Sequence, residues 1–121
     1  MKTDAERLCP QVEAIFSLLA RKWAGLIVFE LGGGEKRFAD LKTLIPGLSS
    51  RVLTLRLREL EAAGLVERMV KAASPVRVSY RLSDKGRSLG CVMAGLAEWA
   101  GKYGSGQAGS VDPVLLIDAE G

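Results

Sequence analysis

Apolar positions recur at helical spacing over the first half of the chain, switch to strict alternation, and return to helical spacing near the end. Val12, Ile15, Phe16 and Leu19 lie about one turn apart behind Cys9-Pro10. Proline suits the first helical position, where its missing N–H costs nothing, so a helix is predicted from Pro10 to about Ala20. A second helix is expected from about Lys22 to Leu31, with Trp23, Leu26, Ile27 and Leu31 on one side and Gly32-Gly33-Gly34 ending it. Phe38, Leu41, Leu44 and Ile45 mark a short third helix closed by Pro46-Gly47. Ser49 then opens a fourth as a candidate N-cap, and Leu53, Leu57 and Leu60 repeat at i, i+4 and i+7 until Gly64. This is the spacing of a helix-turn-helix.

After Gly64 the period becomes two. Val76, Val78, Tyr80 and Leu82 alternate with Arg77, Ser79 and Arg81, and Val66 to Val70 can pair with them as an antiparallel hairpin across Lys71 to Pro75. Ser83-Asp84 caps a last long helix carrying the stripe Leu89, Val92, Met93, Leu96, Trp99 and Tyr103. The predicted fold class is mainly α with a small β-hairpin, a winged helix-turn-helix.

With 121 residues, 48% hydrophobic and 26% charged, the composition is that of one globular domain. We assign it to residues 1–103, and residues 104–121, opening with Gly104-Ser105-Gly106 and carrying Asp112, Asp118 and Glu120, to a flexible acidic tail. No apolar run approaches the roughly 20 residues of a membrane span, and the N-terminus has no signal-peptide pattern, so a cytoplasmic protein without a membrane partner is expected. Histidine is absent and Cys9 and Cys91 are the only cysteines. Cys/His zinc sites and histidine-based triads are thereby excluded within one chain, and no metal, cofactor or catalytic residue is expected. Acids such as Glu30, Asp40 and Glu98 read better as surface or helix-terminal charge than as an enzyme's base.

Charge adds a direction. From Ser49 to Arg87 nine Lys/Arg face four Asp/Glu, a local excess of five in a chain whose net charge is +3. Opposite the leucine stripe of the fourth helix stand Arg51, Leu55 and Arg58, with Thr54 on the flank and Ser49 and Ser50 at the helix start. Arginine bonds guanine in bidentate fashion or grips phosphate, an apolar side chain can meet a thymine methyl, and Arg77 and Arg81 on the hairpin can reach phosphates beside the groove. Double-stranded DNA is the partner this pattern predicts. A winged helix serving only as a protein-interaction module would instead carry an apolar or acidic recognition face.

The ordered set Cys9-Pro10, Lys22-Trp23, Lys36-Arg37-Phe38-Ala39-Asp40-Leu41, Ile45-Pro46-Gly47-Leu48-Ser49, Val52-Leu53-Thr54 and Leu57 to Val66 resembles the HxlR-type winged-helix transcriptional regulators of the MarR-like superfamily. The resemblance continues through Val78 to Ser83 and Gly86 to Leu89, and covers about Cys9 to Trp99. It implies a bacterial or archaeal regulator that binds operator DNA as a homodimer through its first and last helices. Two positions depart from the family pattern. Leu55 stands where a polar residue is common on the recognition helix, and Ser79 where glutamate often precedes the wing tyrosine.

The dimer also has a physical argument. Val12, Ile15, Phe16 and Leu19, with Leu89, Val92, Met93, Leu96, Trp99 and Tyr103, offer more apolar surface than so small a core can cover. Cys9 has two readings. In its Cys-Pro context it resembles the cysteine that some family members use to sense oxidants or electrophiles, and a helix start, with Lys2 and Arg7 nearby in sequence, suits a reactive thiol. It also suits a small buried hydrophobe at the seam. The alternative to thiol sensing is a regulator answering a small-molecule effector that the sequence does not identify. Cys91 is expected to be buried.

Overall fold

The computed structural model of the protein describes residues 9–104. Among them five helices and three short strands follow in the order α1 (Pro10–Leu19), α2 (Ala24–Leu31), β1 (Lys36–Arg37), α3 (Phe38–Leu44), α4 (Ser50–Ala62), β2 (Val66–Lys71), β3 (Arg77–Leu82) and α5 (Asp84–Tyr103). All five predicted helices are present, and the last ends at Tyr103 as expected. Residues 1–8, with Lys2 and Arg7, and residues 105–121 of the expected tail lie outside the described residues.

Two local departures from the sequence reading have physical causes. Helix α2 starts at Ala24 rather than Lys22, because Trp23 adopts φ 79°, the left-handed region, and serves as the N-cap. That conformation costs a non-glycine residue about 1–2 kcal/mol, and packing holds it. The Trp23 ring lies against Gly47, where an added Cβ would come within 3.6 Å of Trp23 Cη2. The wing is also larger than a two-stranded hairpin. β3 is the central strand of an antiparallel sheet of order β1-β3-β2, with Lys36 opposite Tyr80 and Arg37 opposite Ser79. Two residues are too few to show alternation, so β1 leaves no periodic signal.

The core gathers Ile27, Val28 and Leu31 of α2, Leu41 of α3, and Leu53, Leu57 and Leu60 of α4 with Leu65, Val66 and Leu82 of the wing. Helix α4 is fixed at both ends. The Ser49 hydroxyl accepts from the Val52 N–H at 3.1 Å. At the other end Gly64, at φ 77°, lets the Leu65 N–H reach the Leu60 carbonyl at 3.0 Å and the Gly64 N–H reach that of Glu61 at 2.9 Å, a Schellman closure. The carbonyls that follow are also taken: Lys85 Nζ donates to Ala63 at 2.9 Å and the Ser83 hydroxyl to Gly64 at 2.6 Å. The start of α5 therefore holds the end of α4. Close approach there requires glycine, since a Cβ on Gly86 would overlap the Leu65 carbonyl oxygen and one on Gly90 would come within 3.1 Å of Leu82 Cδ1. No helix among the described residues is long and apolar enough to cross a membrane.

Candidate nucleic-acid interface

The burial of α4 repeats with the helical period. Leu53, Leu57 and Leu60 are buried, while Ser50, Arg51, Leu55 and Arg58 are exposed and Thr54 is half-buried. With its apolar side spent on the core, α4 presents a ridge of two guanidinium groups around Leu55, which is 47% exposed. Among the described residues neither Arg51 nor Arg58 makes an ion pair, so both are available to a polyanion. Two of the expected contact residues already have intramolecular partners. Ser49 is exposed but caps α4, and the Thr54 hydroxyl donates to the Ser50 carbonyl at 2.9 Å, leaving its methyl group and oxygen lone pair for an outside contact.

In the wing Arg77 and Arg81 are both exposed. Arg81 Nε donates to Glu67 Oε1 at 2.8 Å with both side chains about half exposed (47% and 46%). An exposed pair of this kind is worth at most about 1 kcal/mol, so phosphate can displace the carboxylate. Register adds a residue expected in the connection between the strands. Lys71 belongs to β2 and stands directly opposite Arg77. Like charges across a ladder repel, and an anion at the wing relieves that repulsion. Ser79 shares the alternation of Arg77 and Arg81 yet is only 9% exposed. The central position of β3 covers it, and its hydroxyl donates to the Glu35 carboxylate. Here a serine bonded to Glu35 occupies the place of the glutamate that family members often carry.

The surface formed by α1 and α5 has the opposite character. Of the ten residues expected at a dimer seam, Val12, Phe16, Val92, Leu96, Trp99 and Tyr103 are exposed, Phe16 to 66%. Ile15, Leu89 and Met93 are half-buried against the chain's own core, and Leu19 is half-buried. The Trp99 and Tyr103 rings meet at 5.5 Å between centroids, tilted by 43°. Leu26 does not join the core as its stripe suggested. It is 48% exposed and, with Phe29, opens onto a cavity of about 640 Å³ walled by Leu19, Trp23, Met93 and Leu96. Helix α2 is apolar on nearly every side, which hides from the sequence which side faces out.

The cysteines also divide. Cys9 is the N-cap of α1 and is half-buried; its carbonyl accepts from the Val12 and Glu13 N–H groups at 3.0 and 3.1 Å, and its thiol donates to Gln11 Oε1 at 3.0 Å. Cys91 corrects the sequence reading: it is exposed, because glycines, Gly86 and Gly90, face the core on that part of α5. Both thiols are free.

Comparison with known proteins agrees with this geometry. The family model described as HxlR-like helix-turn-helix matches residues 18–108. YvaP of Bacillus subtilis (strain 168), an HTH-type transcriptional regulator, is 41% identical over 93% of this chain and 98% of its own. YodB of the same organism, also an HTH-type transcriptional regulator, is 42% identical over 79% of this chain and 86% of its own. The reduced form of YodB superposes with a TM-score of 0.71 at 40% identity, covering 82% of this chain and 97% of that one. The redox regulator HypR in its oxidised form superposes with a TM-score of 0.72 at 37% identity, covering 78% and 96%. YodB has also been solved after diamide treatment and with quinone bound, at TM-scores of 0.67 and 0.66. A winged helix whose α4 turns a cationic ridge outward is matched over most of its length to transcriptional regulators: this chain belongs to the HxlR-like helix-turn-helix family and is a DNA-binding transcriptional regulator.

Proposed function

We propose that the protein acts as a homodimer on a near-palindromic operator and that Cys9 makes its affinity responsive to oxidants or electrophiles. The observation that carries the DNA reading is the ridge of α4, where Arg51, Leu55 and Arg58 stand exposed opposite the buried leucines. Ser49, Ser50 and Thr54 sit at its flank for phosphate or base-edge contacts, and Arg77 and Arg81 with Lys71 extend the cationic surface along the wing. In a twofold dimer the two ridges enter successive major grooves about 34 Å apart, so half-sites recur about one turn apart. The exposed stripe of Phe16, Val92, Leu96, Trp99 and Tyr103 is the surface that the second copy covers.

The thiol reading rests on the place of Cys9. It begins the helix at the proposed seam and is partly accessible, so an added polar or bulky group there changes the angle between protomers without touching DNA. YodB, solved reduced, diamide-treated and quinone-bound, and the redox regulator HypR support it by likeness. The test is a gel-shift titration of DNA from upstream of the protein's own and neighbouring genes, with wild type and Cys9→Ser, each with and without diamide or a quinone. Retarded bands at nanomolar to micromolar protein, weakened or strengthened by oxidant only when Cys9 is present, are expected. Absence of any shift contradicts the DNA reading, and an identical oxidant response in Cys9→Ser contradicts the thiol reading.

A further inference from the structure

Helix α4 carries three arginines, and one does not face out. Arg56 lies 100° from Leu57 and 200° from Arg58 around the helix, on the flank turned toward the body of the protein. Its side chain is 13% exposed. Nε donates to the Lys22 carbonyl at 2.7 Å, across 34 residues of sequence, and a terminal nitrogen donates to Glu59 Oε1 at 3.2 Å. The other oxygen of Glu59 pairs with Arg21 at 3.3 Å. The recognition helix thus grips the α1–α2 turn twice, by the Lys22 backbone and by the Arg21 side chain. Trp23 adds a third contact from the same turn, its ring against Gly47 between α3 and α4. Arg21, Lys22 and Trp23 also form one wall of the apolar cavity whose opposite wall is α5.

We propose that Arg56 is a positioning residue for DNA recognition: it clamps α4 to the Arg21–Trp23 turn and so sets the direction of the recognition helix relative to the α1/α5 seam. The inference rests on the dimer reading above. Two features separate Arg56 from an arginine held for phosphate. Its Nε and one terminal nitrogen are engaged by protein acceptors, and its burial imposes a desolvation cost that an exposed cation avoids. Methionine would fill similar volume without that cost. What methionine cannot do is hold a carbonyl and a carboxylate at fixed angles, as a planar guanidinium does and a lysine ammonium does not. A buried ion pair that gives little stability for its cost is suited to fixing geometry. In a dimer, a small rotation of α4 against the seam moves both reading heads in opposite senses, so the spacing between half-sites is the property it controls.

The experiment uses the full chain and an operator selected by the wild-type protein from random duplex DNA. Three probes are titrated at several salt concentrations: the full operator, the same operator with one base pair inserted between half-sites, and a duplex with a single half-site. For Arg56→Met we expect single half-site affinity within twofold of wild type, full-operator affinity about tenfold weaker, a flattened preference for the native spacing, and an unchanged salt slope. Arg56→Lys keeps the charge and should behave like Arg56→Met. If Arg56→Met does not fold, Glu59→Gln carries the test, with the same pattern at smaller amplitude. A salt slope lowered by about one makes Arg56 a phosphate contact and overturns the proposal. So does full recovery by lysine, an equal loss on half-site and full operator, or no change on any probe. Sedimentation of the wild type separates the two levels: a monomer overturns the dimer reading and this inference with it, whereas a dimer with the wrong probe pattern overturns the inference alone.

Discussion

Helices α4 and α5 are both amphipathic, yet they use their apolar faces in opposite ways. The buried residues of α4 are Leu53, Leu57 and Leu60, and its outward face is polar or cationic around Leu55. The buried residues of α5 are glycines, Gly86 and Gly90, while Val92, Leu96, Trp99 and Tyr103 stay exposed. Periodicity reports that a helix has an apolar face but not which molecule covers it. In α4 the covering surface is the chain's own core. In α5, on the proposed reading, it is a second copy.

The largest effect that tests this contrast is expected in α4. Leu57→Ala should cost about 2–5 kcal/mol in urea unfolding, because Leu57 is 1% exposed and its truncation leaves a cavity. Leu96→Ala, at a position 56% exposed, should cost little that is independent of protein concentration and should act on the dimer instead. Equal, concentration-independent losses at both positions would erase the distinction.

Gly86→Ala comes next, at about 1–3 kcal/mol, since the new Cβ pushes the start of α5 off the Leu65 carbonyl and loosens the bonds that close α4. A Gly86→Ala protein as stable as wild type would show that this contact relaxes freely.

At the DNA surface, Arg51→Ala and Arg58→Ala should each leave stability nearly unchanged. An arginine that reads a base loses about 1–3 kcal/mol of operator affinity and relaxes sequence preference, whereas one that holds phosphate weakens all sequences alike. Gel-shift titrations at fixed salt distinguish the two. If both variants bind an identified operator as wild type does, the ridge of α4 is not the reading surface.

The smallest effect is a gain. Gly95 lies inside α5 and an added Cβ meets nothing within 4 Å in the protomer, so Gly95→Ala should stabilise the helix by about 0.5–1 kcal/mol in thermal or urea unfolding. A loss of stability that grows with protein concentration would place Gly95 under the second copy and sharpen the map of the seam.

These outcomes bear on what the sequence could and could not reveal. The five helices are legible because each has a marked start or stop: Pro10, Ser49 and Ser83 at starts, and Gly32, Pro46-Gly47 and Gly64 at or just beyond ends. The reading ridge was legible for the same reason, since a capped helix with three leucines in register fixes which residues face out. β1 was not, because two residues carry no period and its pairing with β3 spans more than forty residues. Nor was the exposure of Leu26, because α2 is apolar on nearly every side. Residue type misleads at Cys91, since cysteine is commonly buried, whereas Gly86 and Gly90 take the buried positions of α5. Arg56 is one more positive charge in the sequence, because its partner on the α1–α2 turn lies 34 residues away along the chain.

Sedimentation of the wild-type protein at about tens of micromolar is the decisive measurement, because the paired reading heads and the role of Arg56 both require the α1/α5 surface to be covered by a second copy. A single species of twice the 13.0 kDa chain mass is expected, and Trp99→Glu should return it to 13.0 kDa with loss of high-affinity operator binding. A wild-type protein that sediments as a monomer while binding its operator normally would contradict it.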